Sequence, residues 1–110
     1  MPTRLRTPAE LEAALAAPRF LVFKHSPTCP ISAEAFAEYE EWAASHPECP
    51  TAWIEVVQER PLARAVAERT GVKHESPQAL LLEAGRVAWS ASHSAITAAA
   101  LEHAVGAVRR

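Results

Sequence analysis

Apolar positions along the chain follow two rhythms, one helical and one extended. Residues 7–17, TPAELEAALAA, put Leu11 and Leu15 on one helical face. Thr7 is positioned as the cap, Pro8 as the first helical residue and Glu10 three residues after the cap, while Pro18 ends the run. Residues 19–25, RFLVFKH, form a short continuous apolar run, the pattern of a strand buried on both faces. After SPTCP the helical rhythm returns over ISAEAFAEYEEWAASH. Its stripe is Ala35, Tyr39 and Trp42, flanked by Phe36 and Ala43, with the glutamates at 34, 38, 40 and 41 mostly on its other faces. HPECP breaks that helix, and TAWIEVVQ predicts the next strand. RPLARAVAERTGV reads as a helix opened by Pro61, carrying Leu62, Ala65 and Val66, and closed by Gly71. QALLLEAGRVAWSAS divides at Ala84-Gly85 into the two strands of a hairpin. The last segment, SAITAAALEHAVGAVRR, predicts a helix with Ile96, Ala100, Leu101, Val105 and Val108 on its apolar side.

The predicted order is helix, strand, helix, strand, helix, strand, strand, helix. Two strands joined through a helix run parallel, with a right-handed crossover. The hairpin then adds two more strands, one antiparallel to the first pair. This is an α/β fold with a mixed four-stranded sheet and helices on both faces, the layout of thioredoxin-like domains. A chain of 110 residues, 49% apolar, closes one core, so residues 1–110 are expected to form a single domain. A net charge of -2 without a Lys/Arg block argues against a nucleic-acid footprint, and the closing Arg109-Arg110 pair reads as a solvated helix end. No stretch has the apolar length of a signal peptide core or of a membrane span, so a cytoplasmic protein with reduced cysteines is expected.

The chemistry concentrates in KHSPTCPIS, residues 24–32. Cys29 lies between the first predicted strand and the second predicted helix. Pro30 suits the first helical position, which makes Cys29 the N-cap. Its sulfur is then expected to face the backbone N–H groups of Ile31 and Ser32 at the positive end of the helix dipole. Both effects favour the thiolate, the attacking species in disulfide exchange, and Lys24 and His25 add positive charge upstream. The competing reading of Cys29 is inert packing, since cysteine is among the most buried residue types. For His25 two readings stand level, a polar residue at a strand end or a catalytic base.

Three residues after Cys29, where a dithiol motif repeats the cysteine, the chain has Ser32. Cys49 cannot take that role. A helix from about residue 30 to 46 separates the two by roughly 24 Å, against the roughly 7 Å between Cα atoms that a disulfide allows. Cys49 is expected to be a bystander, reactive only if HPECP leaves it at the surface.

Residues 75–77, ESP, precede the third predicted strand, where a thioredoxin-like layout brings a cis-proline loop to the active cysteine. Pro77 is the candidate for the cis bond, and the backbone of Ser76 could pair with a substrate strand. An ordinary trans proline opening a strand is the alternative. Trp42, Trp53 and Trp89 read as packing. The histidines at 46, 74, 93 and 103 lack paired metal spacing, and no metal site is expected. His93-Ser94 reads as the cap of the last helix.

Taken with HESPQALLLEAGRVAWSASHSAIT, the segment FKHSPTCPIS resembles the YtxJ family, the monothiol bacilliredoxins of bacteria that use bacillithiol. The likeness runs from Phe20 to the last helix. It implies a thioredoxin-like fold and removal of bacillithiol from protein mixed disulfides formed under oxidative stress. It puts the nucleophile on Cys29 and the cis-proline on Pro77, with Ser32 in the place of the second cysteine. Lys24, His25, Pro30, Ser32, Ser76 and Pro77 become the expected substrate-binding set. No bound cofactor is implied; bacillithiol is the co-substrate and bacillithiolated proteins are the partners. Because bacillithiol carries a malate group with two carboxylates, its pocket should offer cations or helix-terminal N–H groups. Lys24, His25, Lys73 and His74 flank the motifs and are the candidates, with solvated loop charge the competing reading for Lys73 and His74. Two rival functions remain: a non-catalytic thioredoxin-fold adaptor binding through the Cys29–Pro77 surface, and a redox sensor whose partner binding follows the state of Cys29.

Overall fold

The computed structural model describes residues 2–108, and side chains as far as residue 106. In chain order the elements are β1 (Thr3–Arg4), α1 (Pro8–Ala16), β2 (Phe20–His25), α2 (Pro30–Ser45), β3 (Thr51–Glu55), α3 (Arg60–Thr70), β4 (Gln78–Glu83), β5 (Arg86–Ser92), a 3-10 turn (His93–Ala95) and α4 (Ala98–Val108). The sheet order is β1-β3-β2-β4-β5, with β1, β3 and β2 parallel and β4 antiparallel to both β2 and β5.

The sheet therefore has five strands where the sequence predicts four. The extra strand, Thr3–Arg4, pairs with Ala52 and Trp53 and is continued by a hydrogen bond from Leu5 N–H to Trp53 O (2.8 Å). Two residues are too few to display an alternating pattern, which is why the strand escapes a reading by periodicity.

Side-chain parity along β2 and β4 sends each apolar run to both faces. Leu21, Phe23, Ala79 and Leu81 pack with Tyr39 and Trp42 of α2 and Leu101 and Val105 of α4. Val22, Leu80 and Leu82 pack with Leu11 and Leu15 of α1 and Leu62 and Val66 of α3. The continuous runs FLVF and ALLL are thus the mark of central strands covered twice. Trp42 lies inside the first cluster, and Trp53 and Trp89 pack against it, as expected for packing residues.

The local signals at the element ends act as read. Thr7 Oγ1 accepts from Glu10 N–H (3.2 Å), and Glu10 Oε1 accepts from Thr7 N–H (3.0 Å) and Arg6 N–H (2.8 Å). Those backbone bonds hold the Glu10 carboxyl below its usual range. Gly71 ends α3 in the left-handed region at φ 76°. Ala84 and Gly85 make the β4–β5 turn with φ of 51° and 82°.

Three expectations are corrected. The predicted strand 51–58 stops at Glu55, because its carboxylate accepts from Val57 N–H (2.8 Å) and Gln58 N–H (3.3 Å) and turns the chain. The last helix is capped by Thr97, whose hydroxyl accepts from Ala100 N–H (3.0 Å), while His93 and Ser94 form the 3-10 turn ahead of it. Cys49 is buried in the core beneath α2 instead of being exposed, since the turn after α2 closes by a hydrogen bond from Cys49 N–H to His46 O (3.0 Å). The side chain of Val108 and the Arg109-Arg110 pair lie outside the described residues.

Candidate active site

β2 ends at His25, and a short turn leads to Cys29, whose N–H donates to Ser26 O (3.2 Å). Cys29 has the extended backbone of an N-cap (φ -102°), and its carbonyl accepts the first helical bond from Ala33 N–H (3.0 Å). Pro30 follows as the first helical residue, exposed. Cys29 as a residue is half-buried, where the other cysteine, Cys49, is buried. One detail departs from expectation. The Cys29 side chain accepts no hydrogen bond from the amides of α2. Sulfur is a weak, long-reach acceptor and does not substitute for the oxygen of a capping Ser or Asp. What the position retains is its place at the positive end of a 16-residue helix.

Ser32, in the second-cysteine position, is fully buried. Its Oγ accepts from Ser26 N–H (2.8 Å) and lies 2.9 Å from His25 Nδ1. Burial pushes His25 below its usual pKa, against an opposing pull from the Glu55 and Glu40 carboxylates. A neutral ring accepts the Ser32 hydroxyl proton at Nδ1 and keeps its own proton on Nε2. The ring is clamped by stacking on Phe36 (4.4 Å between centroids) and by the edge contact with Trp53 (5.8 Å). Ser32 therefore fixes the turn that presents Cys29, and it fixes the orientation of His25.

The second segment reaches the same end of the sheet. The Ser76-Pro77 bond is cis. Because Lys24 pairs with Gln78 across β2 and β4, Pro77 falls beside the end of β2, where His25 leads into the Cys29 turn. Pro77 is buried and its carbonyl accepts from His93 N–H (3.0 Å), while Ser76 is half-buried. Gln78 holds the approach to this loop, donating from Nε2 to Lys73 O (2.9 Å) and accepting from Glu75 N–H (3.4 Å).

The two lysines of the candidate set separate. Lys73 is exposed. Lys24 has 0% of its surface exposed, and burial lowers its pKa to about 8. Its Nζ lies 3.1 Å from Nδ1 of the exposed His74, so Lys24 influences the surface through His74 and touches no solvent itself. His74 is held below the usual histidine range first by burial and then by the Lys24 charge.

Residues that the sequence reading passed over also come here. A cavity of about 340 Å³ opens beside Ser76 and His74, and Arg60 and Arg64 of α3 line its far side. Their four-residue spacing, which sets both on one helical face, was the available signal. Among the described residues no group of three His, Cys, Asp or Glu side chains could hold a metal ion, and no helix is long and apolar enough to cross a membrane.

A thiol at a helix N-terminus, a serine where a second cysteine would stand, and a cis-proline at the neighbouring strand describe an oxidoreductase of the thioredoxin fold with a single active-site thiol. Comparison with known proteins narrows that class. The family described as monothiol bacilliredoxin BrxC matches residues 3–101, and the chain belongs to it. Among solved structures, one described as a candidate oxidoreductase with a thioredoxin fold is 33% identical, covers 94% of this chain and 92% of its own, and superposes with a TM-score of 0.86. Thioredoxin from Trypanosoma brucei brucei shares the fold at a TM-score of 0.82, with 8% identity over 99% of this chain and 91% of that one. Oxidised thioredoxin from Plasmodium falciparum does so at 0.77, with 11% identity over the whole of both chains. The protein's class is therefore thiol redox.

Proposed function

We propose that this protein removes bacillithiol from protein mixed disulfides, with Cys29 as the nucleophile. The observation that carries the reading is the pairing of a half-buried N-cap Cys29 with a buried Ser32 whose oxygen is already bonded to His25 and Ser26. In the first step the Cys29 thiolate attacks the bacillithiol sulfur of a client–bacillithiol disulfide. A Cys29–bacillithiol disulfide forms, the client–bacillithiol bond breaks, and the client leaves as a thiolate that takes a proton from solvent. In the second, the thiolate of free bacillithiol attacks the bacillithiol sulfur held on Cys29. Oxidised bacillithiol disulfide leaves and Cys29 is restored as thiolate. Ser32 has no sulfur and cannot substitute for that external thiol.

Pro30 and Pro77 shape the walls of the thiol site in this reading, and Ser76 offers backbone groups to an extended client segment. His25, neutral and pinned by Ser32, stands by as the titratable side chain nearest in sequence to Cys29. A reducing cytoplasmic setting suits a thiol that must rest unoxidised. The test is turnover of a bacillithiolated client with and without excess free bacillithiol. Wild type is expected to release many equivalents of client thiol only when bacillithiol is supplied, and Cys29→Ser to release none. Release by Cys29→Ser, or none by wild type, would reject the reading. A wild type that takes up bacillithiol once and then never turns over would point to the redox-sensor reading instead.

A further inference from the structure

We propose that the cavity between Arg60, Arg64, His74 and Ser76 is an anion site that receives the carboxylates of the small thiol carried on Cys29. The inference rests on the preceding reading for the identity of that thiol, and on charge and geometry for the site itself.

Arg60 and Arg64 stand one turn apart on the first half of α3, about 6 Å along its axis. The other well-defined arginine–carboxylate contacts are elsewhere: Arg4 Nη2 lies 2.7 Å from Glu59 Oε1, and Arg69 is paired with Glu12. Glu59, the carboxylate next to Arg60 in sequence, is thus already engaged by Arg4. Among the described residues neither Arg60 nor Arg64 forms an ion pair.

Behind His74 lies a third cation. The Lys24 ammonium is fully buried, and its hydrogen-bond partner is the imidazole of His74, which offers no negative charge. A buried cation without a counter-ion is costly, and a nearby anion lowers that cost. The charges of Lys24, Arg60 and Arg64 all help hold His74 below its usual range, after burial and against the Glu75 carboxylate. The cavity lining thus carries two guanidinium groups and no carboxylate, with the exposed Val57 on one wall and the Glu55 carboxylate behind it, held on Val57 N–H (2.8 Å).

Its position selects the occupant. Ser76 belongs to the cis-proline loop, and β2, β3 and α3 all bring their site-facing ends to this edge of the sheet. A volume of about 340 Å³ suits a dicarboxylate group and not a folded acidic surface. Arginine forks bind carboxylates in paired geometry, and two of them one turn apart match two carboxylates on a short carbon chain.

The test separates this site from the chemistry of Cys29. Malate is titrated into the full-length Cys29→Ser protein and followed by backbone amide NMR. The expected result is saturable shifts centred on residues 60, 64, 74 and 76, weakened at least about tenfold in Cys29→Ser/Arg60→Gln/Arg64→Gln and only partly restored by lysine at both positions, which returns the charge without the fork. Shifts that survive the glutamine variant unchanged, or that centre elsewhere, would overturn the proposal. So would an acidic peptide that binds there more tightly than malate, because the site would then read client side chains. Loss of client turnover in Cys29→Ser has no bearing on this titration, so failure of the nucleophile and failure of the anion site are told apart.

Discussion

At the scale of single residues, Ser32 and Lys24 carry the most informative physics. From sequence, Ser32 stands in the place of a dithiol motif's second cysteine and among the expected substrate-binding residues. In the fold its hydroxyl accepts from Ser26 N–H and meets His25 Nδ1, so it holds the turn before the nucleophile. Ser32→Ala orphans both partners and should lower stability by about 1–2 kcal/mol in urea denaturation. A loss near zero would contradict the assigned network. Lys24 is a buried base whose pKa falls on folding from the usual 10.5 to about 8. The folded state then binds fewer protons than the unfolded chain between those values, so its penalty is full below about pH 8 and relieved as pH rises toward 10. Lys24→Met should therefore stabilise the protein at pH 7 by on the order of 3 kcal/mol, with the gain shrinking by pH 10. A gain independent of pH would show that packing, not charge, is responsible. Cys29, Pro30, Ser32 and Pro77 were legible because their meaning lies in local spacing. Arg60 and Arg64 were not, because only the tertiary fold brings α3 against the loop at 73–76.

Among the elements, caps and turns were the readable part. The Thr7–Glu10 capping box, Gly71 at the end of α3 and the Ala84-Gly85 turn are chemical signals written in a few adjacent residues. Gly85 answers two demands at once. Its φ of 82° disfavours any side chain, and a Cβ there would lie 3.0 Å from the Leu15 carbonyl oxygen. Gly85→Ala should cost about 1–2 kcal/mol in thermal or urea unfolding, and a neutral result would mean that the hairpin and α1 part easily. What stayed hidden were features set by partners far along the chain. β1 exists because β3 offers an open edge, β3 ends because the Glu55 carboxylate accepts from the N–H groups of Val57 and Gln58, and Cys49 is buried because the turn after α2 rolls under the helix.

For the molecule as a whole, the alternation of helices and apolar strands was enough to give a mixed sheet covered on both faces, and the family match over residues 3–101 agrees with that architecture. The sheet gathers the ends of β2 and β3, the start of α2, the start of α3 and the cis-proline loop at one edge. Thiol and cationic cavity thus both lie at the end of the sheet where β2 and β3 finish, and the central claim is that a small thiol passes from client to Cys29 there. The most direct measurement is intact mass and peptide mapping after a single turnover, mixing the protein with one equivalent of bacillithiolated client and no free bacillithiol. The account predicts one bacillithiol increment on the Cys29 peptide, matched by its loss from the client and absent from Cys49. An increment at Cys49, or a client that keeps its bacillithiol while Cys29 stays unmodified, would contradict it.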